Sequence, residues 1–213
     1  MYNWLNKIKL IKNSILNNGN IVISSNAELR INNTSKIEIS SGFFKFGYPL
    51  DVNSPFPSYK NSLIKMGENS KLIIRGNVSI SQGSSIVICD NGVLEFDGNN
   101  IFAHNTFIYC YSSIKFGKAV SSSWNCTFMD WDGHLFERED KINKQFYRPL
   151  VLKDGVGIQM NVVIPRGVEV GENSILSANT VLRKDIEPNT LVYSVAELRM
   201  KNGIKSGLIK AQQ

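Results

Sequence analysis

Aliphatic residues recur at every sixth position between residues 158 and 186, and this is the most regular hydrophobic pattern in the chain. Written in sixes, the stretch is IQMNVV, IPRGVE, VGENSI, LSANTV and LRKDIE. The aliphatic residues that open the five units are Ile158, Ile164, Val170, Leu176 and Leu182. An amphipathic helix needs apolar spacings near 3.6 and a simple strand needs a strict period of two, so neither explains the whole run. The pattern predicts a coil with three flat faces.

Each six-residue unit is expected to form one short strand and one corner. The opening aliphatic residue points inward, and a small or β-branched residue fills the corner at the fifth place of each unit: Val162, Val168, Ser174, Thr180 and Ile186. Three units close a turn of about 18 residues, and successive turns stack at the ordinary inter-strand spacing of roughly 4.8 Å. The predicted fold is an all-β parallel β-helix with a dry, aliphatic interior.

The solenoid pattern continues upstream in a looser form. Ile74, Ile80 and Ile86 recur at the same period of six, and β-rich segments separated by Gly, Asn and Ser extend back to about residue 20. The loop GYPLDVNSPFPSYKNS and the charged stretch after Asp132 interrupt the coils. The predicted organisation is an N-terminal amphipathic helix (1–18), a β-helix domain (19–195) and a C-terminal tail (196–213). Within the domain we expect irregular coils (19–120), a projecting loop (132–149) and regular hexapeptide coils (156–187).

Length and charge narrow the class of partner. At 213 residues and 23.9 kDa the chain is long enough for one sizeable core. The formal net charge of +6 favours an anionic partner, but the basic residues are scattered rather than gathered into a stripe with interleaved aromatics. We therefore expect a phosphorylated cofactor or an acidic glycan, and no nucleic acid.

The N-terminal residues and the cysteines bear on the compartment. No apolar run approaches the roughly 20 residues of a transmembrane segment, and lysines interrupt the N-terminus where a signal peptide would be continuously apolar. Trp4, Ile8, Ile11 and Ile15 fall at helical spacing. Such a helix is expected to pack on its own domain or on a partner subunit, and peripheral membrane association is the alternative. Three cysteines without C-x-x-C spacing indicate reduced thiols, so the predicted location is the cytoplasm.

The stretch MDWDGHL, residues 129–135, contains one of the two histidines. Taken alone it is a turn, since Asp-Gly is a strong turn signal. Followed by the hexapeptides and preceded by Trp124, it predicts a base, His134, at the root of a projecting loop. His104 has no acidic neighbour in sequence and is interpreted as a structural residue.

The hexapeptides, the tail NTVLRKDIEPNTLVYS and the stretch SSSWNCTFMDWDGHLF together resemble the hexapeptide-repeat acyltransferases, in particular the sugar O-acetyltransferases that modify capsule and lipopolysaccharide. The resemblance covers Ser121 to about Ser194 well and the first half only as a generic β-solenoid. It implies a left-handed parallel β-helix, an exception to the right-handed crossover rule. It also implies a homotrimer with active sites between subunits, acetyl-CoA as acyl donor, and a saccharide acceptor.

The resemblance also implies roles for individual residues. His134 matches the catalytic base, and Asp132 and Asp130 match the acidic positions that orient its imidazole. The implied acetyl-CoA contacts are Gln159, Ser177, Ala178, Arg183, Lys184 and Arg199. The implied saccharide contacts are Trp124, Trp131 and Arg148. No metal is expected, because the histidines and cysteines are dispersed.

The chain also departs from the family pattern. Gly157 and Gln159 stand where a VWIG-like element would have Trp and Gly, and YSVAELR replaces the closing GxPAK motif. Cys126 as a covalent nucleophile is the rival mechanism to general-base catalysis by His134. N-acetylation of an amino-sugar nucleotide and a non-catalytic solenoid scaffold are the alternative functions.

Overall fold

The computed structural model describes residues 20–49, 61–131 and 148–194. In these ranges the chain forms twenty β-strands and no helix. In chain order the strands are β1 (Asn20–Ile23), β2 (Glu28–Ile31), β3 (Lys36–Ser41), β4 (Phe43–Tyr48), β5 (Leu63–Met66), β6 (Lys71–Arg75), β7 (Val78–Ser81), β8 (Ser85–Ile88), β9 (Val93–Phe96), β10 (Asn100–Phe102), β11 (Phe107–Cys110), β12 (Ser113–Phe116), β13 (Ser121–Ser122), β14 (Thr127–Met129), β15 (Leu150–Leu152), β16 (Gly157–Ile158), β17 (Val163–Ile164), β18 (Glu169–Val170), β19 (Ile175–Leu176) and β20 (Leu191–Val192).

From β1 to β18 every third strand belongs to the same sheet, so each of these coils contributes one strand to each of three parallel sheets, and β19 and β20 both extend the first sheet. Sheet A has the order β1-β4-β7-β10-β13-β16-β19-β20, sheet B the order β2-β5-β8-β11-β14-β17, and sheet C the order β3-β6-β9-β12-β15-β18. Up to β19, strands that follow one another in the chain lie in different sheets, so corners connect sheet A to B, B to C and C to A. We call these corners AB, BC and CA. Between β19 and β20, single bridges at Val181 and Ile186 continue sheets B and C.

The coils become narrower toward the C-terminus, as the sequence separation between stacked, hydrogen-bonded residues shows. The separation is 22 between Ser84 and Thr106 and 20 between Asn105 and Asn125. It falls to 18 between Asn161 and Asn179, and to 16 between Asn173 and Asn189. The predicted turn length is therefore found in the regular hexapeptide region, and the coils before it are wider.

The interior follows the predicted hydrophobic pattern. The five aliphatic residues that open the hexapeptides are at most 5% exposed, and four of the five corner-filling residues are buried, with Ile186 half-buried. The side chains that fill the wide coils are larger. Six phenylalanines are fully buried there: Phe44, Phe46, Phe96, Phe102, Phe116 and Phe128.

Asparagine occupies a left-handed backbone conformation at each corner AB of the later coils. Asn105, Asn125, Asn161 and Asn179 have φ between 58° and 61°. Their side chains form a ladder, in which each amide donates to the next Oδ1 at 3.1–3.2 Å. Asparagine tolerates this conformation better than other residues with a Cβ, so one residue type satisfies both the backbone and the stacking at the corner.

These observations confirm the predicted fold class, an all-β parallel β-helix of hexapeptide-repeat type; left-handed winding is the sense that the resemblance implies. The predicted N-terminal helix, the C-terminal tail and most of the projecting loop lie outside the described residues, so the domain bounds stay predictions. Cys110 and Cys126 are buried, Cys89 is half-buried, and all three are free thiols. The described ranges contain no helix long and apolar enough to cross a membrane.

Candidate active site

The projecting loop begins and ends at one corner BC. Asp130 and Trp131 are the last described residues before it and Arg148 is the first after it. The Arg148 backbone N–H donates to the Asp130 carbonyl oxygen at 3.2 Å, so the two ends of the loop meet. The predicted residues Asp132 and His134 lie in this loop, outside the described residues, as does Arg199 in the C-terminal tail.

Asp130 is fully buried, and its carboxylate accepts hydrogen bonds from three consecutive residues of the preceding coil. The Tyr111 N–H donates to Oδ1 at 2.6 Å, and the N–H groups of Ser112 and Ser113 donate to Oδ2 at 2.6 and 2.7 Å. Burial raises the pKa of Asp130 above its ordinary value, and the backbone hydrogen bonds act in the opposite direction. Both carboxylate oxygens are therefore engaged in fixing the start of the loop to the coil before it.

Corner AB brings together four residues that the sequence assigns to the site. The Gln159 Oε1 accepts a hydrogen bond from the Ala178 N–H, in the next coil, at 3.0 Å. The Trp124 carbonyl oxygen accepts from the Asn161 N–H at 3.0 Å, so Trp124 lies one coil before Gln159 on the same corner. Ser177 precedes Ala178, and its N–H donates to the Val192 carbonyl oxygen. The exposed Gln159 side chain therefore sits between Trp124 and the predicted pantetheine contacts.

The predicted basic contacts lie on another corner. Arg183 and Lys184 are exposed at corner BC, and Arg148 lies on the same corner nearer the loop. Gly167 stacks on Arg148: its N–H donates to the Arg148 carbonyl at 3.3 Å, and a Cβ on Gly167 would come within 2.9 Å of the Arg148 Cβ. The two sets of predicted cofactor contacts are thus separated by the sheet B side of one coil.

Gly157 lies on the outer surface of sheet A, beside corner AB. A Cβ at this position would meet only the Ile175 Cγ1, at 3.9 Å. Its neighbours in the outer column, Ser121 and Ile175, are exposed. The space that an indole would occupy in the family pattern is therefore open in this chain.

An aromatic cluster on the outer surface of sheet B combines Trp131, a predicted saccharide contact, with three rings that sequence reasoning missed. The Trp131 ring is 4.5 Å from the Tyr111 ring and 6.2 Å from the Tyr109 ring, measured between centroids. Phe107 is 6.1 Å from Tyr109. The signal was present as strict alternation, since Phe107, Tyr109 and Tyr111 are spaced by two around the buried Ile108 and Cys110.

The other candidates from the sequence are buried. His104 is 2% exposed, and burial lowers its pKa, which favours the neutral imidazole. Cys126 is buried, burial raises its pKa, and its thiol donates to the Gln159 carbonyl oxygen at 3.1 Å. Both residues therefore pack as structural groups, which agrees with the interpretation of His104 and argues against Cys126 as a nucleophile. Across the part of the chain that the structure describes, no group of three or more His, Cys, Asp or Glu side chains is placed to hold a metal ion.

Comparison with known proteins finds a relative of this chain by sequence. No protein-family model matches the chain. The galactoside O-acetyltransferase of Escherichia coli (strain K12) is 29% identical over 154 residues, which are 71% of this chain and 70% of that protein.

Two solved structures resemble the chain at 16% identity and a TM-score of 0.47 each. They are the polysialic acid O-acetyltransferase OatWY, where 87% of this chain and 94% of that one are covered, and the polysialic acid-specific acetyltransferase NeuO, where 92% of each chain is covered. The chain is thus similar in sequence to an O-acetyltransferase, which agrees with the resemblance to acyltransferases predicted from the hexapeptides.

Proposed function

We propose that the protein transfers an acetyl group from acetyl-CoA to a hydroxyl group of a saccharide, with His134 as general base. The observation that carries this proposal is the 29% identity to a galactoside O-acetyltransferase over 154 residues. The acceptor is proposed to be a sugar of a bacterial surface polysaccharide or its precursor, and the location the cytoplasm.

Of the two aspartates near His134, we assign the orienting role to Asp132. Asp130 accepts three backbone N–H groups from residues 111–113, so its oxygens are already committed to the fold. Asp132 is the other carboxylate of the motif, and it stands two places before His134 in the sequence. A carboxylate on the imidazole Nδ1–H would hold the tautomer and stabilise the imidazolium that forms during transfer.

Acetyl-CoA is proposed to contact both corners of the β-helix. Gln159, Ser177 and Ala178 at corner AB would meet the pantetheine arm, and Arg183, Lys184 and Arg199 would meet the phosphates. The contacts at corner AB and those at corner BC lie on opposite edges of sheet B. One subunit can therefore supply both sets of contacts only if the cofactor crosses the outer surface of that sheet. A homotrimer, in which a cleft between subunits joins corner AB of one to corner BC of the next, supplies both sets without that crossing.

The proposed reaction is a direct transfer in a ternary complex. The His134 imidazole takes the proton of the sugar hydroxyl as the oxygen attacks the thioester carbonyl. The tetrahedral intermediate places its negative charge on the former carbonyl oxygen, where a backbone N–H at a coil corner would stabilise it. The C–S bond then breaks, the CoA thiolate takes the proton from the imidazolium, and the ester is released. Cys126 forms no acyl-enzyme in this scheme.

The test is CoA thiol release from acetyl-CoA in the presence of methyl galactoside, followed by mass analysis of the sugar. Wild-type protein should release thiol in proportion to an acetylated product that mild alkali removes, since esters are cleaved where amides survive. His134→Ala should lower kcat at least about a hundredfold, the usual contribution of a general base.

The matched control is His104→Asn, a change in the other histidine of the chain. It should leave the activity per folded molecule near that of wild type, because His104 is buried in the coil. Full turnover by His134→Ala would contradict the assignment of the base, and an alkali-stable product would indicate N-acetylation.

A further inference from the structure

A groove of about 610 Å³ runs along the outer surface of sheet B and corner BC, toward the start of the projecting loop. Its lining mixes aromatic, aliphatic and polar groups: Lys65, Gly67, Val87, Cys89, Tyr109 and Tyr111 are among the residues that form it. None of these residues is among the predicted catalytic or cofactor contacts. The groove therefore lies beside, and extends beyond, the candidate site.

The groove exists because two columns of side chains differ in size. In one column, Lys65, Val87 and Tyr109 are register neighbours on successive strands. In the column beside it, Gly67 and Cys89 come before Tyr111, and a Cβ on Gly67 would collide with the Asp90 side chain. Small residues at one end and aromatic rings at the other leave a hollow that is open to solvent.

Its length follows from the strand spacing. Lys65 is on β5, Val87 on β8 and Tyr109 on β11. Two inter-strand spacings correspond to about 10 Å, which is longer than one sugar ring. A ligand that fills the groove therefore contains at least two rings in a row.

We propose that this groove binds an oligosaccharide, so that the enzyme acetylates a saccharide chain in preference to a single sugar. The inference rests on the proposed function, because it specifies the length of the proposed saccharide acceptor. The ring next to Tyr111 and Trp131 is the one that is acetylated, and the further rings extend toward Lys65.

The short sequence distance from Trp131 to the proposed base supports this orientation. Trp131 is in contact with Tyr111, with ring centroids 4.5 Å apart, and it is the last described residue before the loop. His134 follows three residues later, so it lies within about 10 Å of Trp131 along the chain. A ring on Tyr111 and Trp131 is therefore within reach of the proposed base.

The chemistry of the lining suits sugar rings. The faces of Tyr109 and Tyr111 offer apolar surface to the C–H side of a pyranose, and the Lys65 ammonium donates hydrogen bonds to hydroxyl or carboxylate oxygens. The Cys89 thiol is 3.4 Å from the Tyr109 hydroxyl and holds the ring in place. Burial, together with this contact, raises the pKa of Tyr109 above its ordinary value, and the hydroxyl, which is protonated at neutral pH, can donate to a sugar oxygen.

The experiment measures transfer to acceptors of one to four units, in a neutral series of galactose and an acidic series of galacturonic acid. Wild-type enzyme should show a KM that falls with chain length in at least one series. Tyr111→Ala should raise the KM for the tetrasaccharide about five- to tenfold, while the KM for acetyl-CoA stays unchanged. Lys65→Ala should raise the KM for the tetrasaccharide and leave that for the monosaccharide unchanged.

Phe43→Ala is the matched control, because Phe43 and Tyr111 are both 37% exposed and Phe43 lies on sheet A, away from the groove. It should change none of these constants. An equal KM for all lengths in wild type, or an unchanged length preference in Lys65→Ala, would overturn the inference.

Failure of the proposed function gives a different result. If no acceptor yields acetylated product, calorimetric titration of the same oligosaccharides into wild type, Tyr111→Ala and Phe43→Ala still tests the groove. Binding that increases with length and is lost only in Tyr111→Ala supports the groove without the transferase. Absence of binding to wild type in both series contradicts it.

Discussion

The coils before the projecting loop and the coils after it differ in length and in the size of the side chains that fill their interiors. Before the loop, the sequence separation between stacked residues is 22 and then 20, and phenylalanines fill the interior. After it, the separation is 18 and then 16, and the described interior is aliphatic. A longer coil encloses a wider triangle, and a close-packed interior needs larger side chains to fill it. The length of each coil therefore sets the size of the core residues.

The described residues that we propose to be functional lie on both sides of the boundary between these two regions. Asp130 and Trp131 end the last wide coil, and Gln159 lies in the first narrow one. The wide region offers the longer sheet B strands that carry Tyr109 and Tyr111, while the narrow region repeats the small corners that carry Ser177 and Ala178. The proposed acceptor groove and the proposed cofactor contacts thus belong to different regions, and the loop with His134 starts between them.

The largest expected effect is the loss of an aromatic ring from the wide interior. Phe116 is fully buried and packs against Phe96, Phe102 and Phe128, with centroids 4.9 to 5.1 Å apart. Phe116→Ala should lower the free energy of unfolding by about 3–5 kcal/mol, because the wide coil cannot close around the cavity. Urea unfolding followed by circular dichroism measures it. Phe43→Ala, on the surface, should change the free energy of unfolding by less than about 0.5 kcal/mol. Equal losses in Phe116→Ala and Phe43→Ala would contradict the role of phenylalanine in filling the wide interior.

The next effect concerns the boundary between the regions. Asp130→Asn should lower the free energy of unfolding by about 2–3 kcal/mol, because an amide keeps one acceptor oxygen and turns an NH₂ group toward buried N–H donors. Asp154→Asn is the control, since exposed Asp154 accepts the Lys118 N–H through its Oδ1 and should cost less than about 1 kcal/mol. Thermal unfolding compares the two variants. A smaller loss for Asp130→Asn than for Asp154→Asn would show that the three hydrogen bonds do not stabilise the boundary.

A smaller effect is expected from overfilling the narrow interior. Leu176→Phe introduces into a narrow coil the phenylalanine side chain that fills the wide coils. It should lower the free energy of unfolding by about 1–3 kcal/mol. Leu176→Met, which conserves volume, should cost less than about 1.5 kcal/mol. The same urea titration measures both. A neutral Leu176→Phe would mean that the narrow coils can expand, and the link between coil length and core size would fail.

Much of the fold could be predicted from the hexapeptides because the period of six is local. Inward and outward positions alternate within each short strand, so Ile158, Ile164, Val170, Leu176 and Leu182 were assigned to the core without knowledge of their partners. The corner asparagines repeat at the same place in each of the later coils and could have been assigned in the same way. The base, His134, was inferred from a motif, and its geometry stays a prediction.

The role of Asp130 could not be predicted in this way. In sequence it is one of two similar aspartates near a histidine, and only the stacking of one coil on another brings residues 111–113 to its carboxylate. The groove is equally non-local, since Lys65, Val87 and Tyr109 become neighbours across two inter-strand spacings. Each of these neighbours is a full coil away from the next in the sequence, so a periodicity search over a short sequence segment does not detect the column.

The sequence by itself determined the class of fold, the direction in which each hexapeptide side chain points, and the resemblance to acyltransferases. These depend on local periodicity and on short motifs, which the order of residues contains directly. The tertiary structure alone decided the width of each coil, the partners of Asp130 and the aromatic groove on sheet B. These three features depend on which coils stack on each other and in what register. The register follows from backbone hydrogen bonds between residues that are distant in the sequence.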